Sequence, residues 1–320
     1  MAEAQKPTDR LNYTGELMPV IEGICNAYGV GKPISNSVIE VGYEDCNVII
    51  ETSQSRYLAK MFSKNRTPDE INRYTNMMQK VVEAGVHHPE LLRTATGDVT
   101  YSNSGISLVL MQFIDGKTFY ELDRAPTPIE LKAVLEQAAK VNEIDYQPPY
   151  LFDSWAIPNI ENMFDRVKQY LQTDDLETVK RVMSGYEAIP VDNLPHSFVH
   201  GDFTKTNIML DTSGQIHILD FSVANWYPRI QELAVIVANL LHDNSDTSSI
   251  QDKCKVVADE YGQYNALTDL ERTHLPAYAL AGMAMEFMGA HQEKYINGND
   301  TDETAYWLTL GREGIRKALV

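Results

Sequence analysis

The side chains best suited to chemistry fall in two short segments, HGDFTKTNIML at 200–210 and ILDFS at 218–222. Asp202 and Asn207 stand on one loop, and Asp220 ends the second strand of the hairpin that follows. Phosphoryl transfer asks little covalent chemistry of a protein. It needs a carboxylate to orient the attacking hydroxyl and accept its proton, oxygen ligands for magnesium, and a cation on the α/β-phosphates. A hairpin brings its two ends together, so Asn207 and Asp220 can meet one metal ion while Asp202 faces a γ-phosphate. Hard oxygen ligands of this kind suit magnesium, which keeps several waters and takes further ligands from phosphate. Singly, each residue has a plainer reading: HGD as a turn, Asp220 as a cap or one half of a buried pair. The joint spacing is what points to a site.

The pattern HGDxxxxN followed by a hydrophobic-Asp-Phe hairpin resembles the aminoglycoside phosphotransferase family, with its choline, ethanolamine and homoserine kinase relatives. The resemblance runs from about residue 30 to 240. It implies an α+β, two-lobed protein-kinase-like fold with a small β-rich N-terminal lobe and a larger, mainly helical C-terminal lobe. It also implies use of ATP and Mg2+ on a small-molecule hydroxyl acceptor. In that frame Asp202 is the catalytic base, Asn207 and Asp220 are the metal ligands, and His200 braces the loop.

Lys60, in YLAKMF at 57–62, looks like the lysine of the kinase V-A-I-K strand. An inward lysine on an apolar strand is costly without an anion, and phosphates would supply one. The segment VGYEDCN at 41–47, with Gly42 and Asn47, stands where the family carries its phosphate-covering loop, although it holds one glycine only. Met111 to Ile114, with Met111 and Phe113 as candidates, is the expected hinge, offering backbone groups to adenine. The family pairs its lysine with a helix glutamate. Glu70 is the candidate, although it also completes a capping box, and Tyr74 stands one turn later where an acid is expected. Lys205 is a candidate γ-phosphate contact, and Trp226 and Tyr227 are candidate walls for an ammonium group. Glu232 stands where relatives place an aspartate at a helix start and reads as structural.

The elements that must position these residues follow from periodicity. Leu17, Val20, Ile21 and Ile24 fall at helical spacing. Strands are expected at 34–41, 47–52, 56–62 and 107–113, with a helix from Thr67 whose TPDE start is a capping box with proline at its first position. Its apolar stripe is Ile71, Tyr74, Met78, Val81 and Val82. A domain boundary is expected at 113/114, giving units 1–113 and 114–320. Beyond it the pattern is helical: a second capping box, TPIE at 127–130, then helices at 158–172, 174–186, 229–242, 248–262, 270–295 and 301–318. The strands 207–210 and 215–219 interrupt them.

In the 320 residues, 27 basic side chains face 45 acidic ones, a net charge of −18. That balance argues against nucleic acid and anionic membrane as partners and would attract a cationic substrate, while also serving solubility. Three cysteines without a CxxC suggest a reducing compartment and no structural zinc. The start MAEAQKPTDR lacks a signal-like apolar run, and the apolar stretches 233–241 and 277–288 are too short to span a bilayer. A cytoplasmic protein is expected, and no pattern fixes its oligomeric state. Two rivals remain open: a nucleotide-binding pseudokinase and a protein serine/threonine kinase. The second would need a long peptide-docking segment after Asp220, where only about nine residues precede the next helix.

Overall fold

The computed structural model describes residues 6–243 and 245–319. Residues 1–5, on which the reading of the chain start in part rests, lie outside them. The chain divides into two compact units, Met1–Val82 with His88–Asp115, and Glu83–His87 with Gly116–Val320.

The first unit holds α1 (Leu17–Tyr28), β1 (Pro33–Val38), β2 (Cys46–Thr52), β3 (Arg56–Met61), α2 (Pro68–Glu83), β4 (Thr100–Asn103) and β5 (Ile106–Gln112). Its strands form one antiparallel sheet in the order β1-β2-β3-β5-β4. Burial alternates along β2, so Cys46, Val48 and Ile50 face inward onto Val20, Ile21 and Ile24 of α1. The β2–β3 turn is closed by Thr52, whose Oγ1 accepts from the Gln54 and Ser55 amides. That turn fixes the register that sets Asn47 opposite Lys60. α2 begins as its capping box dictates: Glu70 Oε2 accepts from the Thr67 amide at 2.7 Å, and the Glu70 amide donates back to Thr67 Oγ1.

The second unit holds β6 (Gly116–Thr118), α3 (Pro128–Asn142), α4 (Ile160–Val167), α5 (Thr173–Glu187), β7 (His196–Val199), β8 (Ile208–Asp211), β9 (Ile216–Ile218), β10 (Asn225–Pro228), α6 (Ile230–Val235), α7 (Ile250–Tyr261), α8 (Asp269–Gln292) and α9 (Asp302–Ala318). Three strands pair as β6-β8-β9 and two as β10-β7. α6 and α8 each run on into a π-helical turn, Ile236–Leu240 and Glu293–Asn297. α8 is the core helix: Tyr278, Ala281, Ala284 and Phe287 are fully buried, as are Leu233 and Ile236 from the α6 segment. α9 lies close against it, because a Cβ at Gly311 would stand 2.4 Å from the Phe287 amide nitrogen. At the start of α3, Arg124 bonds both oxygens of Glu130, which also caps the helix; Arg124, first among these partners, holds that carboxyl down at about 2. No described helix is long and apolar enough to cross a membrane.

Candidate active site

In the second unit the loop between β7 and β8 carries His200, Gly201, Asp202 and Asn207. His200 has no exposed surface. Its Nε2–H donates to the Leu219 carbonyl at 2.8 Å, and its Nδ1 accepts the Asp202 amide at 3.0 Å. Only a neutral ring can do both. Burial, which outweighs the opposing Leu219 bond and Asp220 charge, lowers its pKa to about 4. The ring thus ties the loop between β7 and β8 to the strand end that leads into Asp220.

Glu232 ties the same loop from below. Its Oε1 accepts the His200 amide at 2.5 Å and its Oε2 the Gly201 amide at 3.1 Å. The side chain is fully buried, which pushes its carboxyl up to about 8 against those two bonds. Gly201 has φ 84°, the left-handed region, and a Cβ there would press on Gln231 Nε2 at 3.3 Å. Both features leave the loop one conformation.

That conformation joins two of the expected residues directly. Asn207 Nδ2 donates to Asp202 Oδ2 at 2.6 Å and to the Asp202 carbonyl at 3.1 Å. The Leu219 amide donates to the Asn207 carbonyl at 2.8 Å, which sets Asp220 one residue beyond the residue bonded to Asn207. Asp220 itself has φ 55°, uncommon for a residue with a Cβ. Its Oδ1 accepts from the Ser222 amide and from Ser222 Oγ at 2.5 Å. A side chain held at such a backbone position is a mark of sites where geometry outranks local stability.

The donors fit a hard divalent cation. Both donor hydrogens of Asn207 point at Asp202, so its Oδ1 accepts nothing from any described residue. Among the described residues no three His, Cys, Asp or Glu side chains are arranged to hold a metal ion by themselves. A closed protein cage is therefore not on offer. One amide oxygen and carboxylates, completed by water and phosphate, suit a hard divalent cation.

In the first unit Lys60 is buried, and its expected partner is corrected. Glu70 is taken up by the capping box, and it bonds no lysine. Asp45 meets Lys60 instead, with Nζ 3.1 Å from Oδ2, and the Tyr74 ring lies 5.7 Å from the same ammonium. Gly42 has φ 103°, which keeps that turn for glycine. Met111 is buried on β5, and Phe113 lies under the Arg56 guanidinium at 4.4 Å.

Two further expectations are corrected. Lys205 Nζ donates to the His242 carbonyl at 2.8 Å and its amide to Asn239 Oδ1, so the residue anchors the loop to the end of the α6 segment rather than reaching for phosphate. Neighbours on a strand face opposite ways. Tyr227 on β10 turns into a small core with Ala156 and Val199, which removes it as a pocket wall, while Trp226 stays half-buried opposite Phe198.

Sequence reasoning missed a second carboxylate. Glu286 on α8 accepts from Asn239 Nδ2 at 2.7 Å, and Asn239 in turn holds the Lys205 amide. Burial, helped by the charge of Asp202, pushes the Glu286 carboxyl up to about 8. Its Oε2 accepts from no described residue. Tyr306 feels the same carboxylate and packs edge-on to Tyr120 at 5.1 Å, with Trp307 beside both. Glu286 had one visible signal, a charge inside the apolar run 277–288.

Known proteins share this chain's sequence pattern and fold. The pattern of the phosphotransferase enzyme family matches residues 36–270. A homoserine kinase of Bradyrhizobium sp. (strain ORS 278) is 21% identical over 294 residues, covering 89% of this chain and 88% of that protein. A spectinomycin phosphotransferase in complex with ADP and spectinomycin aligns with a TM-score of 0.70 at 12% identity, covering 94% and 97% of the two chains. An amicoumacin kinase bound to AMP-PNP and Ca2+ aligns at 0.68 and 15%, covering 95% and 94%. The kinase-like α+β fold expected from the sequence is the fold these proteins share.

Proposed function

The chain belongs to the phosphotransferase enzyme family, and on that premise we propose that it is a magnesium-dependent kinase moving the γ-phosphate of ATP to a hydroxyl of a small amine-bearing molecule. The observation that carries the reading is the Asp202–Asn207 bond, on a loop braced by His200 and Glu232 and one strand end from Asp220. Asp202 accepts the proton of the acceptor hydroxyl as its oxygen bonds to the γ-phosphorus and the bond to the β–γ bridging oxygen breaks, leaving ADP. Asn207 fixes one carboxylate oxygen, so the other is aimed rather than rotating freely. Asn207 and Asp220 would hold magnesium, which would supply positive charge to the phosphate oxygens. Lys60 would take the α/β-phosphates, and the backbone of Met111 to Phe113 the adenine.

An amine on the acceptor is supported by Glu286 and its aromatic neighbours. A carboxyl with a raised pKa beside Asp202 regains its charge when an ammonium ion pairs with it. Tyr120 and Tyr306 offer ring faces that favour the same cation. The acidity of the chain, −18 overall, draws cations toward it.

The test is ADP release from ATP and magnesium across amino alcohols, hydroxy amino acids, aminoglycosides and neutral sugars. Turnover is expected with an amine-bearing acceptor, and Glu286→Gln is expected to raise that acceptor's KM about tenfold. Turnover on none of these compounds would sink the enzyme reading. A neutral sugar preferred by both proteins would sink the amine.

A further inference from the structure

The structure assigns to Asp45 the task that kinases with a V-A-I-K lysine give to a helix glutamate: we propose that Asp45, from the loop entering β2, positions Lys60 for the nucleotide phosphates. The inference rests on the kinase reading above and adds a residue to it. In protein kinases the strand lysine works only when paired with a glutamate of the following helix, so helix position governs activity. Here the candidate acid of that helix is engaged elsewhere. Glu70 is consumed at the N-terminus of α2, and Tyr74, one turn on, is buried with its ring edge-on to Phe62 at 5.5 Å.

Asp45 is built as an anchor. Its side chain has no exposed surface and Lys60 is 3% exposed. Oδ1 accepts from the Ser63 amide at 3.0 Å and from Arg66 Nε at 3.1 Å; Oδ2 accepts from Arg66 Nη2 and faces Lys60 Nζ, each at 3.1 Å. Two parallel bonds from one guanidinium fix a carboxylate in plane as well as in place. The Asp45 carbonyl accepts in addition from Arg10 Nη1 at 3.0 Å, which pins the backbone. Arg66 also bonds Glu44 Oε2 at 2.6 Å. A lysine stem has many rotamers, and a fixed counter-ion removes that freedom before nucleotide arrives. Because Asp45 belongs to the loop 41–47, lysine placement is coupled to that loop.

The experiment is calorimetric titration of ADP with Mg2+ into the full chain and into Asp45→Asn, Lys60→Met and the double variant, with thermal melts to check folding. Asp45→Asn is expected to weaken ADP binding about tenfold and to raise KM for ATP while leaving KM for the acceptor in place. In the Lys60→Met background the Asp45 substitution is expected to change ADP affinity less than about twofold, since the residue acts through Lys60. Equal losses in both backgrounds, or wild-type affinity in a folded Asp45→Asn, would overturn the assignment. Should Asp45→Asn alone fail to fold, Lys60→Met with and without it carries the comparison: matching affinities support the assignment, and a further loss in the double variant contradicts it. No ADP uptake by the wild-type chain would remove the kinase reading itself, an outcome distinct from failure at Asp45.

Discussion

A histidine without exposed surface that donates through one ring nitrogen and accepts through the other must stay uncharged to keep both bonds. His200 is in that position. Its pKa of about 4 lies below the ordinary 6.5, so the stability it lends is full above about 6.5 and is lost as pH falls toward about 4. Denaturant unfolding of wild type and His200→Gln should therefore show a gap at pH 7.5 that shrinks by up to about 3 kcal/mol by pH 4.5. A gap independent of pH would mean that the ring is not held neutral. At this scale the sequence was uneven. The meeting of Asp202 with Asn207, and of Asn207 with the strand end before Asp220, could be read from spacing because a loop and a hairpin fix short-range geometry. Glu70, Lys205 and Tyr227 could not, because the end of a side chain is decided by neighbours distant in sequence: the capping threonine, the His242 carbonyl and the packing around Val199.

Elements hold those residues through a few buried polar contacts. Glu232, at the start of α6, accepts the His200 and Gly201 amides, so removing it orphans two buried donors. Glu232→Ala is expected to destabilise the fold by about 3 kcal/mol and to lower kcat in the folded fraction, whereas Glu232→Gln, which keeps an acceptor, should lose less of both. Melting temperature and single-turnover rate together check this; equal behaviour of the two variants would leave Glu232 as filler. Helices starting at TPDE and TPIE were legible because a capping box is a local device with its own hydrogen bonds. β4, β6, β7 and β10, of three or four residues each, were missed, since strands this short show no alternation; β8 and β9, as short, were legible through the turn at 211–214 that joins them. The π-turns closing α6 and α8 leave no periodic mark either.

Over the whole molecule, acidic side chains outnumber basic ones, 45 to 27. Between Asp220 and the start of α6 at Ile230 the chain has room only for β10 and two short turns, which leaves no segment for docking a peptide. Small acceptors fit this plan, in line with the family the chain belongs to. The measurement that bears most directly on the account is transfer of labelled γ-phosphate to a turned-over acceptor by wild type and Asp202→Asn, with ADP affinity followed in parallel. The account predicts a loss of about 10²–10⁴-fold in transfer with nucleotide binding retained, the range a positioned general base contributes. Transfer by Asp202→Asn within a few-fold of wild type would contradict it.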